Sequence, residues 1–302
     1  MKSLMLSFVL FHSLLSFDYK LQPIKISAAA THCFFGLSEV MDEHNNGNIS
    51  NSCFVNMGTS YLVIDSGPSF SYASQAYSQM KKIKNLPISY VVNTHLHDDH
   101  WLGNGYYESI GAKIIGSAAF TDLPKEEMTR MQKRITKEAY LKTTQTYPSL
   151  LVEKEKNLKI NSIKVSIKHV NQKAHTDSDL YVYIPSKKIV FVGDMVFNDR
   201  LPSIREGNLR GWLKGLDEIR NLDVDYIIGG HGKIITPDSV NFTYNYIKGL
   251  LQQISTLIED GENITDVLDI VTMQEYKNMN FYDSIHRQNV EIAYRMLEWD
   301  SE

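Results

Sequence analysis

Apolar positions along this chain follow two rhythms. Short runs rich in β-branched and aromatic residues, bounded by Gly, Pro, Asn or Ser, predict strands at 54–57, 61–65, 88–93, 113–116, 158–160, 163–167, 180–184, 189–192 and 226–228. Stretches whose apolar positions return every three to four residues predict helices at 71–84, 125–144, 209–221, 237–259, 264–271 and 285–299. Asn161-Ser162 and Pro185-Ser186 are turn signals between paired strands, and Thr236-Pro237 fits an N-cap followed by Pro at the first helical position. Residues 21–35 read as an opening strand pair, since Ile24 and Ile26 alternate with Lys25. The pattern alone gives a mixed α/β chain without repeats or low-complexity segments.

Composition narrows this picture only a little. With 302 residues, the chain fits one large domain with surface helices. A formal net charge of −4 without a basic run argues against a nucleic-acid partner, and pairs such as Lys81-Lys82 and Lys133-Arg134 read as solvated helix faces. The N-terminus says more. Met1-Lys2 precedes an apolar run from Leu4 to Phe17 that is too short for a comfortable membrane span, the pattern of an export signal. We place the signal at 1–16, leaving 17–302 as a single domain with no stable membrane insertion after cleavage. Ala28-Ala29-Ala30 also satisfies the small-x-small rule but lies far beyond the apolar run. In an oxidising compartment the two cysteines, Cys33 and Cys53, either bridge or stay as two buried thiols.

The chemistry concentrates in Thr94-His95-Leu96-His97-Asp98-Asp99-His100. His95, His97, Asp99 and His100 offer imidazole nitrogen and carboxylate oxygen, the donors that suit zinc and, equally, iron or manganese. His95 and His97 are two apart and share a face of an extended segment, while Gly103 and Gly105 allow tight turning beyond them. Such a loop can serve two metals. Further candidates stand at other strand ends: His175 in a polar turn before 180–184, Asp194 after the run Ile189 to Gly193, and His231 in Gly229-Gly230-His231-Gly232.

This order, His-x-His-x-Asp-His, then a later His, then Gly-Asp and Gly-His-Gly after strands, resembles the metallo-β-lactamase superfamily over roughly residues 50 to 235. The resemblance implies a four-layer αββα sandwich, two mixed sheets flanked by helices, with the site at one edge between the sheets. It implies that His95, His97 and His175 hold one zinc, that Asp99, His100 and His231 hold a second, and that Asp194 bridges them. It further implies a hydrolase using a two-metal hydroxide on a small-molecule substrate. Asp99 is the catalytic residue in this reading, ligating one metal and orienting the hydroxide through its other oxygen. Flanking residues at 48–51, 63–69 and 193–197 look most like an exported, periplasmic branch associated with sulfur oxidation and quinoprotein relay systems.

Other residues read more plainly. Asp65 is expected to orient a loop or ligand, or else to form a strand-end turn before Gly67-Pro68. Asp98 reads as a solvent-facing carboxylate and His286 as a surface residue. His169 is the rival of His175, which the His-Thr-Asp turn favours. The predicted 125–144 helix, with Met128, Met131, Ile135, Tyr140 and Leu141, reads as a lid over the metals or as ordinary helix core. The run from Phe197 to Ser203 is expected to line the cleft, with Arg200 pairing either an anionic substrate or a structural carboxylate. Three functions compete: cleavage of an ester, thioester or related acyl bond; β-lactam hydrolysis; and a non-hydrolytic metal-binding or redox accessory role. Oligomeric state is open.

Overall fold

The computed structural model describes residues 16–26, 29–170 and 172–299. The export signal expected at 1–16 therefore lies almost wholly outside the described residues. Strands β1 (Ile24–Ile26), β2 (Thr31–Phe34), β3 (Ser52–Asn56), β4 (Tyr61–Ile64), β5 (Ile88–Val92), β6 (Lys113–Ser117) and β7 (Leu150–Val152) form one sheet in that order. Its first four strands are antiparallel, and β4 to β7 run parallel. The second sheet takes β8 (Glu155–Ile160), β9 (Ile163–His169), β10 (Leu180–Ile184), β11 (Ile189–Phe197) and β12 (Tyr226–His231), and only β11 and β12 are parallel.

Strand periodicity builds three cores from these two sheets. Leu62 and Ile64 of β4 face the other sheet, where Val182, Phe191 and Ile228 meet them, while Tyr61 and Val63 face outward to helices. Those helices are α1 (Phe70–Ile83), α2 (Asp98–Trp101) and α3 (Asn104–Ser109), which cover the first sheet. In β11, Ile189 and Phe191 face the inter-sheet core, whereas Val190 and Val192 pack on the far side. There α5 (Leu209–Arg220), α6 (Ser239–Glu259), α7 (Ile264–Ile270) and α8 (Tyr282–Trp299) close the stack. Helix, sheet, sheet, helix is the αββα sandwich that the family resemblance implied.

Cys33 stands directly opposite Cys53 in the β2–β3 register, and the two are bridged, with an S–S distance of 2.04 Å. Three readings change. The helix expected at 125–144 is mostly turns, with one short helix α4 (Lys137–Tyr140). Side chains capture its backbone instead: Asp98 Oδ2 accepts from Met131 N, Thr129 Oγ1 from Gln132 N, and Asn46 Oδ1 from Thr136 N. Met131 and Ile135 are nevertheless buried as the apolar pattern required. The helix expected from 237 begins at Ser239, whose N–H still bonds Thr236 O. His286 is buried rather than on the surface, because α8 starts at Tyr282 and turns it inward; its Nδ1 meets Tyr246 Oη at 2.9 Å and its Nε2 donates to Val271 O.

Candidate metal centre

Four chain segments deliver the site to one edge of the sandwich. His95 and His97 lie in the loop after β5, and Asp99 and His100 in α2 just beyond. His175 precedes β10, Asp194 sits within β11, and His231 ends β12. Contrary to the shorter strand predicted, β11 continues past Asp194 to Phe197 through register shifts on both sides of Gly193. That local irregularity aims the carboxylate between the sheets. Two glycines are needed there. Gly193 has φ +49° and abuts Thr94, and a Cβ on Gly230 would fall 2.0 Å from Asp194 Oδ1.

The seven side chains converge as two groups. His95, His97, His175 and Asp194 form one, and Asp99, His100 and His231 the other, each with its ligand atoms within 4.8 Å of one another. His97 Nδ1 lies 3.1 Å from His95 Nε2 and 3.0 Å from His175 Nε2. Asp194 Oδ2 lies 3.4 Å from His175 Nε2 and 3.3 Å from His231 Nε2, while its Oδ1 is 3.3 Å from His100 Nε2. Asp99 Oδ2 is 3.5 Å from His100 Nε2 and 3.7 Å from His231 Nε2. Asp194, a member of the first group, thus also faces the second.

Outer partners decide which nitrogen faces inward for three of the rings. A carbonyl only accepts, so Ile49 O, 2.7 Å away, fixes the proton of His231 on Nδ1 and leaves a lone pair at Nε2. Asp65 Oδ2 does the same for His100 Nδ1 at 2.9 Å, and Glu206 Oε1 accepts from His97 Nε2 at 2.8 Å, turning His97 Nδ1 inward. Asp65 also accepts from Thr94 N and Thr94 Oγ1, which compensates its left-handed backbone at φ +55°. The orienting role expected of Asp65 is the one the structure shows.

The donor set fits divalent metals. His100 Nε2 and Asp194 Oδ1 are buried without a hydrogen-bond partner, and two imidazoles crowd the single inward lone pair of His97. Tetrahedral zinc with N or O donors at about 2.0–2.1 Å implies donor–donor edges of about 3.3 Å, the spacing that recurs here. Burial lowers the His95 imidazole well below its ordinary range, and burial brings His175 to about 3, so both are neutral donors. Burial opposes charge on His100, yet Asp194, Asp99 and Asp65 outweigh it and raise its pKa. Those carboxylates call for a cation where His100 meets them. Burial by itself would raise Asp194, but His231, His100 and His95 hold its carboxyl well below the usual range.

Several expectations for the surrounding residues resolve. His169 stays outside both groups and donates from Nε2 to Asp177 O. Asp98 is not solvent-facing: it accepts from Arg130 Nε at 2.8 Å and from Met131 N at 2.7 Å. Arg130 Nη2 also donates to Asp99 Oδ1 at 2.6 Å, so the oxygen expected to orient the nucleophile already has a partner. Arg200 makes no ion pair among the described residues; its guanidinium lies over Phe281 at 4.4 Å and Phe197 at 5.5 Å, and its buried Nε has no partner. Phe197, Arg200 and Ser203 line a small cavity of about 40 Å³ over the ligands. A cleft of about 290 Å³ adjoins it, walled by Leu96, Trp101, Leu123, Pro124 and Thr129 and rimmed by Arg205. Sequence reading missed Arg130 and Glu206, which carry no motif and meet their ligands across long separations in the chain, and Arg205 at the cleft rim.

The sequence profile of the metallo-beta-lactamase superfamily matches residues 45–231, ending on the last candidate ligand, His231. The chain belongs to the metallo-beta-lactamase superfamily. Within this hydrolase family it is 20% identical, over 219 residues, to a linear primary-alkylsulfatase from Pseudomonas sp.. That match takes in 58% of this chain and 40% of the relative, so the chain spans well under half the length of that curated relative. Among solved structures it is similar to a double mutant of the sec-alkyl sulfatase PisA1, with TM-score 0.70, 14% identity, and coverage of 91% of this chain and 50% of that one. It is also similar to a metallo-beta-lactamase from Pontibacter korlensis, with TM-score 0.60, 17% identity, and coverage of 76% and 99%. At these identities the structural matches speak for the fold of this superfamily member.

Proposed function

We propose that this superfamily member is a dinuclear metal-dependent hydrolase that cleaves an ester or related bond in a small, negatively charged substrate. The observation that carries the reading is the convergence of seven His and Asp side chains in two groups that share Asp194. His95, His97 and His175 would hold one metal, Asp99, His100 and His231 the other, with Asp194 between them. Divalent metal in such sites supplies Lewis acidity and makes a nucleophile available from water near neutral pH. Zinc is the first choice, with iron and manganese compatible with the same donors.

The chain's own residues do the positioning. Asp65 and Glu206 lock the rings of His100 and His97, and Ile49 O locks His231. Arg200, a guanidinium without a carboxylate partner beside the ligands, and Arg205 at the cleft rim favour an anionic group on the substrate. Leu96, Trp101, Leu123 and Pro124 offer an apolar wall for the rest of it. A second reading, in which the bond cleaved is a sulfate ester, is supported by the same arginines and by the two alkylsulfatase similarities. We further propose that the protein is exported to a periplasm-like compartment and belongs to the branch near sulfur-oxidation and quinoprotein relay systems. The Cys33–Cys53 bridge supports an oxidising environment.

A panel of carboxylic esters, thioesters, alkyl sulfates and a chromogenic β-lactam, each run with zinc, iron and manganese, tests the function. Turnover of neutral esters in preference to their anionic counterparts would remove the role given to Arg200. Efficient turnover of the β-lactam alone would replace the ester reading.

A further inference from the structure

The 121–149 segment, which supplies none of the seven candidate ligands, reaches into the ligand set through Arg130. Arg130 donates from Nη2 to Asp99 Oδ1 at 2.6 Å and to Asp98 Oδ1 at 2.5 Å, and from Nε to Asp98 Oδ1 at 2.8 Å. Asp99 is thereby divided: Oδ1 is held by the guanidinium, while Oδ2 faces His100 and His231. Its backbone is pinned separately, since Ser50 Oγ donates to Asp99 O at 2.7 Å. The arginine is itself anchored. The neighbouring Met131 donates its N–H to Asp98 Oδ2 and buries its side chain in the core under α1, where it packs against Gly47.

We propose that Arg130 is a positioning residue for the Asp99–His100–His231 group, a clamp that fixes which oxygen of Asp99 points at the metal held there. The inference rests on the two-metal reading above. An unclamped carboxylate can rotate about its side-chain bonds, and each added rotamer lowers the fraction of molecules with a ready ligand. A planar guanidinium spanning two carboxylates removes that freedom, and a lysine ammonium, a point charge without the fork, does so only in part. Among the described residues the hydrogen bonds and ion pairs of Arg130 reach Asp98 and Asp99 and none of His95, His97 or His175, so its effect is expected on one group alone.

The test titrates zinc into metal-free full-length protein by calorimetry for the parent, Arg130→Met and Arg130→Lys, with circular dichroism as the check on folding. Cobalt(II) substitution adds a visible spectrum that reports ligand geometry. Expected is a parent with two binding events. In Arg130→Met one constant is unchanged and the other is weaker by about 10–100-fold, the range for losing an outer partner of a metal ligand. The cobalt bands of that one site shift, and Arg130→Lys recovers part of the loss. Arg130→Met with both constants equal to the parent's overturns the clamp, as does equal weakening of both. If Arg130→Met does not fold, Arg130→Lys decides: selective weakening of one constant supports the clamp, and two unchanged constants overturn it. A parent that takes up no zinc overturns the two-metal reading itself, and the clamp with it.

Discussion

The two ligand groups are braced differently. His95, His97 and His175 are held mainly by their places in loops: His95 has Thr94 Oγ1 at 3.1 Å, His97 has the half-exposed Glu206, and His175 Nδ1 has no partner. Asp99, His100 and His231 each have a buried or charged outer partner, namely Arg130, Asp65 and Ile49 O. The first group is three imidazoles around a shared carboxylate, and burial favours the neutral form of His95 and His175. The second places two carboxylates against two rings in a buried site, where unpaired charge is costly and geometry must be imposed from outside. The contrast teaches that the family motif specifies the donors, while the buried supports, Asp65 and Ile49 O, and the Arg130 guanidinium gather on one side.

That contrast can be broken at several points. Asp194→Ala removes the one residue common to both groups; metal content should fall to one or fewer per chain, and turnover by more than the 10–100-fold typical of outer-partner losses. Elemental analysis and initial rates measure both. Asp65→Ala should weaken only the 99/100/231 group, by about 10–100-fold. It also orphans donors of Thr94 and His100 at about 1–3 kcal/mol each, visible as a lower Tm. Glu206→Ala should weaken only the 95/97/175 group and by about tenfold or less, because Glu206 is half in solvent; equal effects of the Asp65 and Glu206 changes would erase the asymmetry. Replacing both cysteines by serine should cost about 2–4 kcal/mol of stability and leave metal stoichiometry unchanged, read by thermal melting beside elemental analysis.

Legibility in the sequence follows the same division. The central strands were readable because they separate two apolar cores, so alternation such as Tyr61 to Ile64 survives in the fold. The donors were readable because His95 to His100 is a local motif and the others sit beside Gly-Asp and Gly-His-Gly. The 125–144 segment kept its buried Met131 and Ile135 but lost its helix, since Asp98, Thr129 and Asn46 take its backbone N–H groups and no periodicity reports such bonds. Arg130 and Glu206 were invisible because each meets its ligand across a long stretch of chain. Asp98 and His286 were misjudged for a related reason: their partners, Arg130 and Tyr246, come from other elements.

Metal content tests the central claim most directly. The protein should be purified without chelator, its metals counted per chain by elemental analysis, and the count repeated on Asp194→Ala. Two shared groups of His and Asp donors predict about two divalent metals per chain in the parent, reduced to one or fewer in the variant. A parent with no bound metal, or a variant that keeps the parent's full complement, would contradict the account.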